Sequence, residues 1–194
     1  MNSSTTGITK FIYPWEQNIL ISGNILNNKI VPLKYKIQDL RDNNKKGHMH
    51  IEYINNTPKI ISAKPDPKDD TRRKTVPITL IKDSFDPVTS IIILGLLSHT
   101  NKNCDTKIPI FDGRRRFDLN YKSIEKIEHN YKCELKINRI AGYSKKELKK
   151  HPKNGTIILT KLPGTKQFLF PSEVKIPLII GSFFVKLNAN LILP

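Results

Sequence analysis

Lys107-Ile108-Pro109-Ile110-Phe111-Asp112-Gly113-Arg114-Arg115-Arg116-Phe117-Asp118-Leu119-Asn120-Tyr121 reads as two strands joined by a turn. Ile108 to Phe111 is an apolar run. Asp112–Gly113 follows it, a favoured pair in tight hairpins because both positions tolerate positive φ. Beyond the turn, Phe117, Leu119 and Tyr121 alternate with Asp118, Asn120 and Lys122. Such period-two alternation gives a strand one apolar and one polar face, which predicts an antiparallel sheet covered on one side.

The same pattern recurs outward in both directions. Cys133, Leu135 and Ile137 alternate with Lys132, Glu134 and Lys136, and Phe183, Val185, Leu187, Ala189 and Leu191 alternate with polar residues near the C-terminus. Towards the N-terminus, Met49, Ile51 and Tyr53 alternate with His48, His50 and Glu52, and Val31, Leu33, Tyr35 and Ile37 with Pro32, Lys34 and Lys36. Turn residues agree: Asn27–Asn28 reads as a hairpin tip, and Asn154–Gly155 and Pro163–Gly164 bracket a strand from Thr156 to Leu162. The prediction is a mainly β chain, a long antiparallel meander curled into an open or closed barrel.

Two segments break the pattern. Asp86–Pro87 sets an N-cap acceptor before a proline at the first helical position, where the missing N–H costs nothing. The residues that follow, Val88 to Leu97, are apolar nearly all round, so a helix over about 86–98 must be buried on most sides, lying across the concave face of the sheet. A second, short basic helix is expected at Ser144 to Lys150, with Ser144 as cap and Glu147 three residues on. Residues 64–74 begin too polar and proline-rich for a strand and read as an exposed loop. With no internal repeat and no second core visible, residues 1–194 are read as a single domain.

The chain has 194 residues, 38% of them hydrophobic, which is enough for a core and excludes whole-chain disorder. The longest apolar run, Ile91 to Leu97, is broken by Gly95 and falls far short of the ~18 residues a membrane span requires. The first fifteen residues show no basic start followed by an apolar segment, so no signal peptide is visible. The net charge is +16, from 33 Lys and Arg against 17 Asp and Glu. Lys outnumbers Arg 26 to 7, and only Arg72–Lys74, Arg114–Arg116 and Lys145–Lys150 cluster. Phosphate and base recognition favours clustered Arg, so the spread of lysines argues for a solvated surface over nucleic acid. An anionic membrane surface would suit this charge equally well.

No constellation for catalysis stands out. The chain has no Walker loop, no Gly-x-Gly-x-x-Gly fingerprint and no Gly-x-Ser-x-Gly elbow, so no catalytic residue and no cofactor is assigned. His48 and His50 share a strand face without an identifiable third ligand, and are read as solvated histidines rather than a metal site. Asn2, Asn55 and Asn154 fit the glycosylation acceptor pattern at the frequency chance allows in so Asn-rich a chain. Phe11, Tyr13 and Trp15, and likewise Phe168 and Phe170, are read as strand-core aromatics. Cys104 and Cys133 flank the strand Arg116 to Glu128, and their spacing suits a disulfide or two reduced thiols equally. A bond would close a loop of about 30 residues, worth roughly 3.5 kcal/mol on a chain-entropy model.

In order, these features resemble the bacterial domain-of-unknown-function 3108 family, in its alphaproteobacterial form. Asp86–Pro87–Val88–Thr89–Ser90 resembles the family's helix start. The block Cys104 to Leu119 resembles its most distinctive segment, a Cys followed by a Phe-Asp-Gly-Arg hairpin and an aromatic-Asp-Leu strand. Tyr131–Lys132–Cys133 and Ile140–Ala141–Gly142–Tyr143 are similar to its second cysteine and following turn, and Pro163 to Pro171, Ile176–Pro177 and Ile180–Gly181 to its closing strands. The resemblance runs from about Gly7 to Leu193. Family members carry a secretory signal and a further hairpin ahead of the residues matching Gly7 to Trp15, so this chain reads as an N-terminally truncated member.

The resemblance implies a periplasmic protein with a curled sheet around one helix, similar to the half-barrel of the lipoprotein carriers LolA and LolB; a cytoplasmic location is the alternative. It implies a Cys104–Cys133 disulfide and no catalytic residues. The function that follows is non-enzymatic: binding a lipid or lipoprotein acyl chain in the concave face, lined by Val88, Ile91, Ile92 and Leu96. The rival readings are a helix that simply fills the cavity as core, and a basic module for nucleic acid or an anionic surface.

Overall fold

The structure, a computed structural model, describes residues 2–4, 16–27, 29–40, 47–150, 153–161, 168–177 and 182–186. The first sheet contains β1 (Asn2–Ser4), β2 (Glu16–Leu26), β3 (Lys29–Asp39), β4 (His48–Ile54) and β5 (Thr57–Lys64). The second contains β6 (Thr106–Phe111), β7 (Arg116–Ile127), β8 (Asn130–Ala141), β9 (Asn154–Lys161), β10 (Leu169–Pro177) and β11 (Ser182–Lys186). In both sheets spatial order follows chain order, and the pairings are antiparallel. Among the described residues three α-helices interrupt the strands: α1 (Ile78–Ile81), α2 (Pro87–Asn101) and α3 (Lys145–Lys150).

The protein is therefore mainly β and antiparallel, but the expected single meander is divided into two sheets, neither of them closed among the described residues. The segment between β5 and β6 is the cause. Pro65 and Pro67 lack the N–H a strand pairing needs, and Pro67–Asp69 forms a 3-10 turn capped by the Asp66 carboxylate. Asp86–Pro87 then launches α2, so the chain reaches β6 from a different direction. One parallel bridge, Phe85 to Ile110, is what the approach to α2 retains of strand pairing with the second sheet.

Helix α2 packs against β10 and β6 of one sheet and β3 of the other. Leu94 belongs to the core of the second sheet, with Ile108, Ile110, Leu135 and Leu159. Val88 packs against the core of the first, built on Ile19, Tyr35, Met49 and Ile51 with Ile81 and Phe111. The helix begins at the predicted cap and runs past the predicted end to Asn101, stopping where Lys102 adopts a left-handed conformation at φ 59°. Its fully buried face is Thr89, Ser90, Leu94, Gly95 and Ser98. Four of those five are small, which lets the helix backbone approach β10 closely: a Cβ on Gly95 would overlap the Leu169 carbonyl oxygen and the Phe168 ring.

The N-terminus of α2 is tied to the first sheet by one carboxylate. Asp86 Oδ1 accepts from the N–H groups of Val88 and Thr89 at 3.0 and 2.8 Å, and Oδ2 accepts from the Tyr53 hydroxyl on β4 at 3.2 Å. Asp86 is fully buried. Burial pushes its pKa up, and these bonds to the ionised form counteract that.

Several turn and strand expectations are refined. Asn27 sits at the β2–β3 tip with φ 49°, as the sequence implied. The β6–β7 connection is a four-residue loop, 112–115, because the Asp112 carboxylate accepts from the N–H groups of Arg114 and Arg115 at 2.9 and 2.7 Å while Gly113 takes φ +91°. Asn154–Gly155 is not a turn but the start of β9, with Gly155 under the Lys175 carbonyl oxygen, where a Cβ would stand only 2.8 Å away. Leu33, expected on the apolar face, is 45% exposed. Leu162, Pro163, Gly164, Leu187, Ala189, Leu191, Phe11, Tyr13 and Trp15 lie outside the described residues.

In an isolated helix Gly→Ala would be stabilising by about 1 kcal/mol. At Gly95 the opposite sign is expected, a loss of about 1–3 kcal/mol from the forced separation of α2 and β10. Urea denaturation of Gly95→Ala beside the parent measures it.

Candidate functional site

Ile93, Leu96 and Leu97 of α2 fall at i, i+3 and i+4, on one face of the helix. Together with Ile30, Val31 and Pro32 of β3 and the approach segment at Ser84 and Phe85, these residues line a cleft of about 290 Å³. Its rim carries Lys29, Asn56 and Asp83. The rim is held in place by backbone geometry. Asn55 and Asn56 form the β4–β5 turn at φ 50° and 59°, and the Asp83 N–H donates to the Asn56 carbonyl at 2.9 Å.

Of the four helix residues expected around a ligand cavity, Leu96 lines this cleft. Val88 packs on the core of the first sheet, and Ile91 and Ile92 are half-buried and outside the cleft wall. Ile93 and Leu97 could have been found from their spacing to Leu96. The β3 residues could not, because their meeting with α2 is a long-range consequence of the divided sheet.

The opposite character marks the cluster around the β6–β7 loop. Arg73 donates to both Glu147 oxygens at 2.8 and 2.6 Å and to Asp70 at 2.5 Å. Arg115 pairs with Asp112 at 2.7 Å and approaches Glu147 at 3.7 Å. The guanidinium groups of Arg115 and Arg139 lie 6.0 and 5.9 Å from the Tyr143 ring centre. Arg114 donates to the Pro65 carbonyl oxygen, so loop, hairpin and α3 are joined. The predicted cap box at α3 is formed: the Ser144 N–H and hydroxyl donate to Glu147 at 2.8 and 2.9 Å, and the Glu147 N–H donates back to Ser144 at 3.3 Å. Arg116 in turn holds Asp118 at 2.6 Å, with Lys107 at 2.9 Å on the other oxygen. Asp118, expected on a polar strand face, is buried by these partners. The arginine clusters that raised the question of phosphate binding are thus engaged with carboxylates and carbonyls of the protein itself.

Cys104 and Cys133 form a disulfide, both residues buried. The Cys104 N–H donates to the Ser123 hydroxyl at 3.0 Å, and Ser123 is the residue of β7 paired with Cys133 on β8. The bond therefore ties the chain leaving α2 to β8 across β7. His50 lies 3.2 Å from Glu52, while His48 is exposed, and among the described residues no group of three or more His, Cys, Asp or Glu is placed to hold a metal ion.

The profile of DUF3108, described as a protein of unknown function, matches residues 1–186. The chain belongs to the DUF3108 family. No curated protein and no solved structure matches it. The disulfide of this DUF3108 protein is consistent with an extracytoplasmic location, and among the described residues no helix is long and apolar enough to cross a membrane.

Two measurements follow from this geometry. Burial alone would raise the Glu147 carboxyl, but Arg73 and the Ser144 bonds outweigh it and hold it near 2, against 4.5 for a free side chain. A carboxylate depressed on folding stabilises above its unfolded value and loses that contribution as pH falls through the folded one. Glu147→Gln is expected to melt below the parent at pH 7, with the gap closing between pH 4.5 and 2. Separately, Cys104→Ser with Cys133→Ser should cost about 3.5 kcal/mol of unfolding free energy, read by denaturant titration.

Proposed function

We propose that this DUF3108 protein is a non-enzymatic, extracytoplasmic component of the cell envelope that holds an acyl chain of a lipid or lipoprotein in the cleft between β3 and α2. The cleft carries this reading. Its walls are Ile30, Val31, Pro32, Phe85, Ile93, Leu96 and Leu97, with polar groups confined to Ser84 and the rim, and its volume of about 290 Å³ falls just below the ~300–1,000 Å³ of ligand pockets. An apolar, rimmed slot of this kind suits a flexible hydrocarbon better than a polar substrate. Two open antiparallel sheets that both pack on α2 leave room for such a slot, with the helix forming one wall of it. The disulfide supports export, since such bonds persist in oxidising compartments. A nucleic-acid role draws less support, because Arg73, Arg115 and Arg116 are paired with carboxylates.

The test is saturable binding of a fluorescent fatty acid by the full chain. Leu96→Trp should fill the cleft and abolish the signal with the melting temperature little changed; a parent protein that shows no saturable signal overturns the reading. Thiol titration of the protein from its host should give no free thiol before reduction and two after it. Two free thiols before reduction would remove the argument for export.

A further inference from the structure

We infer that the two hairpin tips beside the cleft mouth form a docking surface for a lipid bilayer with anionic headgroups, so that an acyl chain passes between bilayer and cleft without crossing water. The β2–β3 and β4–β5 tips lie at the same end of the first sheet, since β3 runs antiparallel to both of its neighbours. Both tips reach the cleft: Lys29 and Ile30 come from one, Asn56 from the other. Both also display large apolar side chains to solvent, Ile25 at 67%, Leu26 at 57% and Ile54 at 51% exposure. Apolar side chains so exposed add little to the core behind them, and Ile25 is the cross-strand partner of Ile30 in the cleft wall.

Charge selects the occupant. Residues 23–30, 53–60 and 81–85 contain Lys29, Lys59 and Lys82 against a single carboxylate, Asp83. Glu52, the neighbouring acid on β4, is taken up by Lys34 at 3.6 Å and His50 at 3.2 Å. Apolar tips surrounded by lysines match the boundary between acyl chains and anionic headgroups, where apolar insertion and electrostatic attraction add. A second copy of this chain would bring the same lysines together and is disfavoured by the overall charge of +16.

The inference takes its purpose from the acyl-binding reading, and the experiment separates the two. The full chain is sedimented with vesicles of phosphatidylcholine alone and of phosphatidylcholine with phosphatidylglycerol. Binding is expected to the second, weakening as salt rises. Leu26→Asp and Lys59→Glu, both at exposed positions outside the cleft lining, should each weaken it about tenfold while leaving uptake of a soluble fluorescent fatty acid intact. Leu96→Trp should show the reverse, losing the fatty acid and keeping the vesicles. Absence of vesicle binding, tip variants that sediment like the parent, or a tip variant whose effect is to dissociate a dimer overturns the docking surface. Tip-dependent vesicle binding by a parent that takes up no fatty acid sustains the docking surface and overturns the acyl reading.

Discussion

The arrangement depends on the burial of one carboxylate. Asp86 ends the irregular segment after the first sheet, caps α2 and accepts from Tyr53 of β4, all with no exposure to water. A buried carboxylate is tolerated only when its hydrogen-bonding capacity is used, and here the backbone of one element and the side chain of another use it together. The direction of α2 is set at that point. Everything downstream, from the contact with β10 to the cleft beside β3, follows from where the helix axis lies.

The two faces of α2 divide the labour. Gly95 lies against β10, where the absence of a Cβ lets the helix come close. Larger aliphatic residues face β3 at helical spacing, and β3 does not close on them, which leaves the cleft. An apolar slot next to exposed apolar tips, with lysines around it, is an arrangement whose exposed hydrophobic area is costly in water. That cost is reason to seek its use at an interface rather than in the stability of the fold.

At the far side of the loop 112–115 the chain behaves differently. Arg73, Arg115, Asp70, Asp112 and Glu147 come from segments distant in sequence and form a mutually satisfied ionic network around Tyr143. Its cations are spent internally, so a positive net charge there says little about partners. The lysines at the cleft mouth are, by contrast, exposed. The same surplus of charge is thus neutralised within the protein at one place and left exposed at another.

Local chemistry was legible in the amino-acid sequence: strand alternation, the Asp86–Pro87 helix start, the Ser144–Glu147 cap box and the Asn27 tip all depend on neighbours a few residues apart. The Cys104–Cys133 bond was one of two readings that the spacing allowed, and the tertiary structure joins the pair. The break at Pro65–Pro67 was legible as a loop, but not that the strands on either side of it belong to separate sheets, because that depends on where the chain re-enters after α2. For the same reason the cleft was visible only in part: Leu96 belongs to a recognisable helix, whereas Ile30, Val31 and Pro32 acquire their role through a contact some sixty residues away. Asp118 looked like a solvent-facing residue by alternation and is buried because Arg116 and Lys107 neutralise it. Periodicity reports which elements form; which face meets which depends on packing between elements, and that is a property of the folded chain alone.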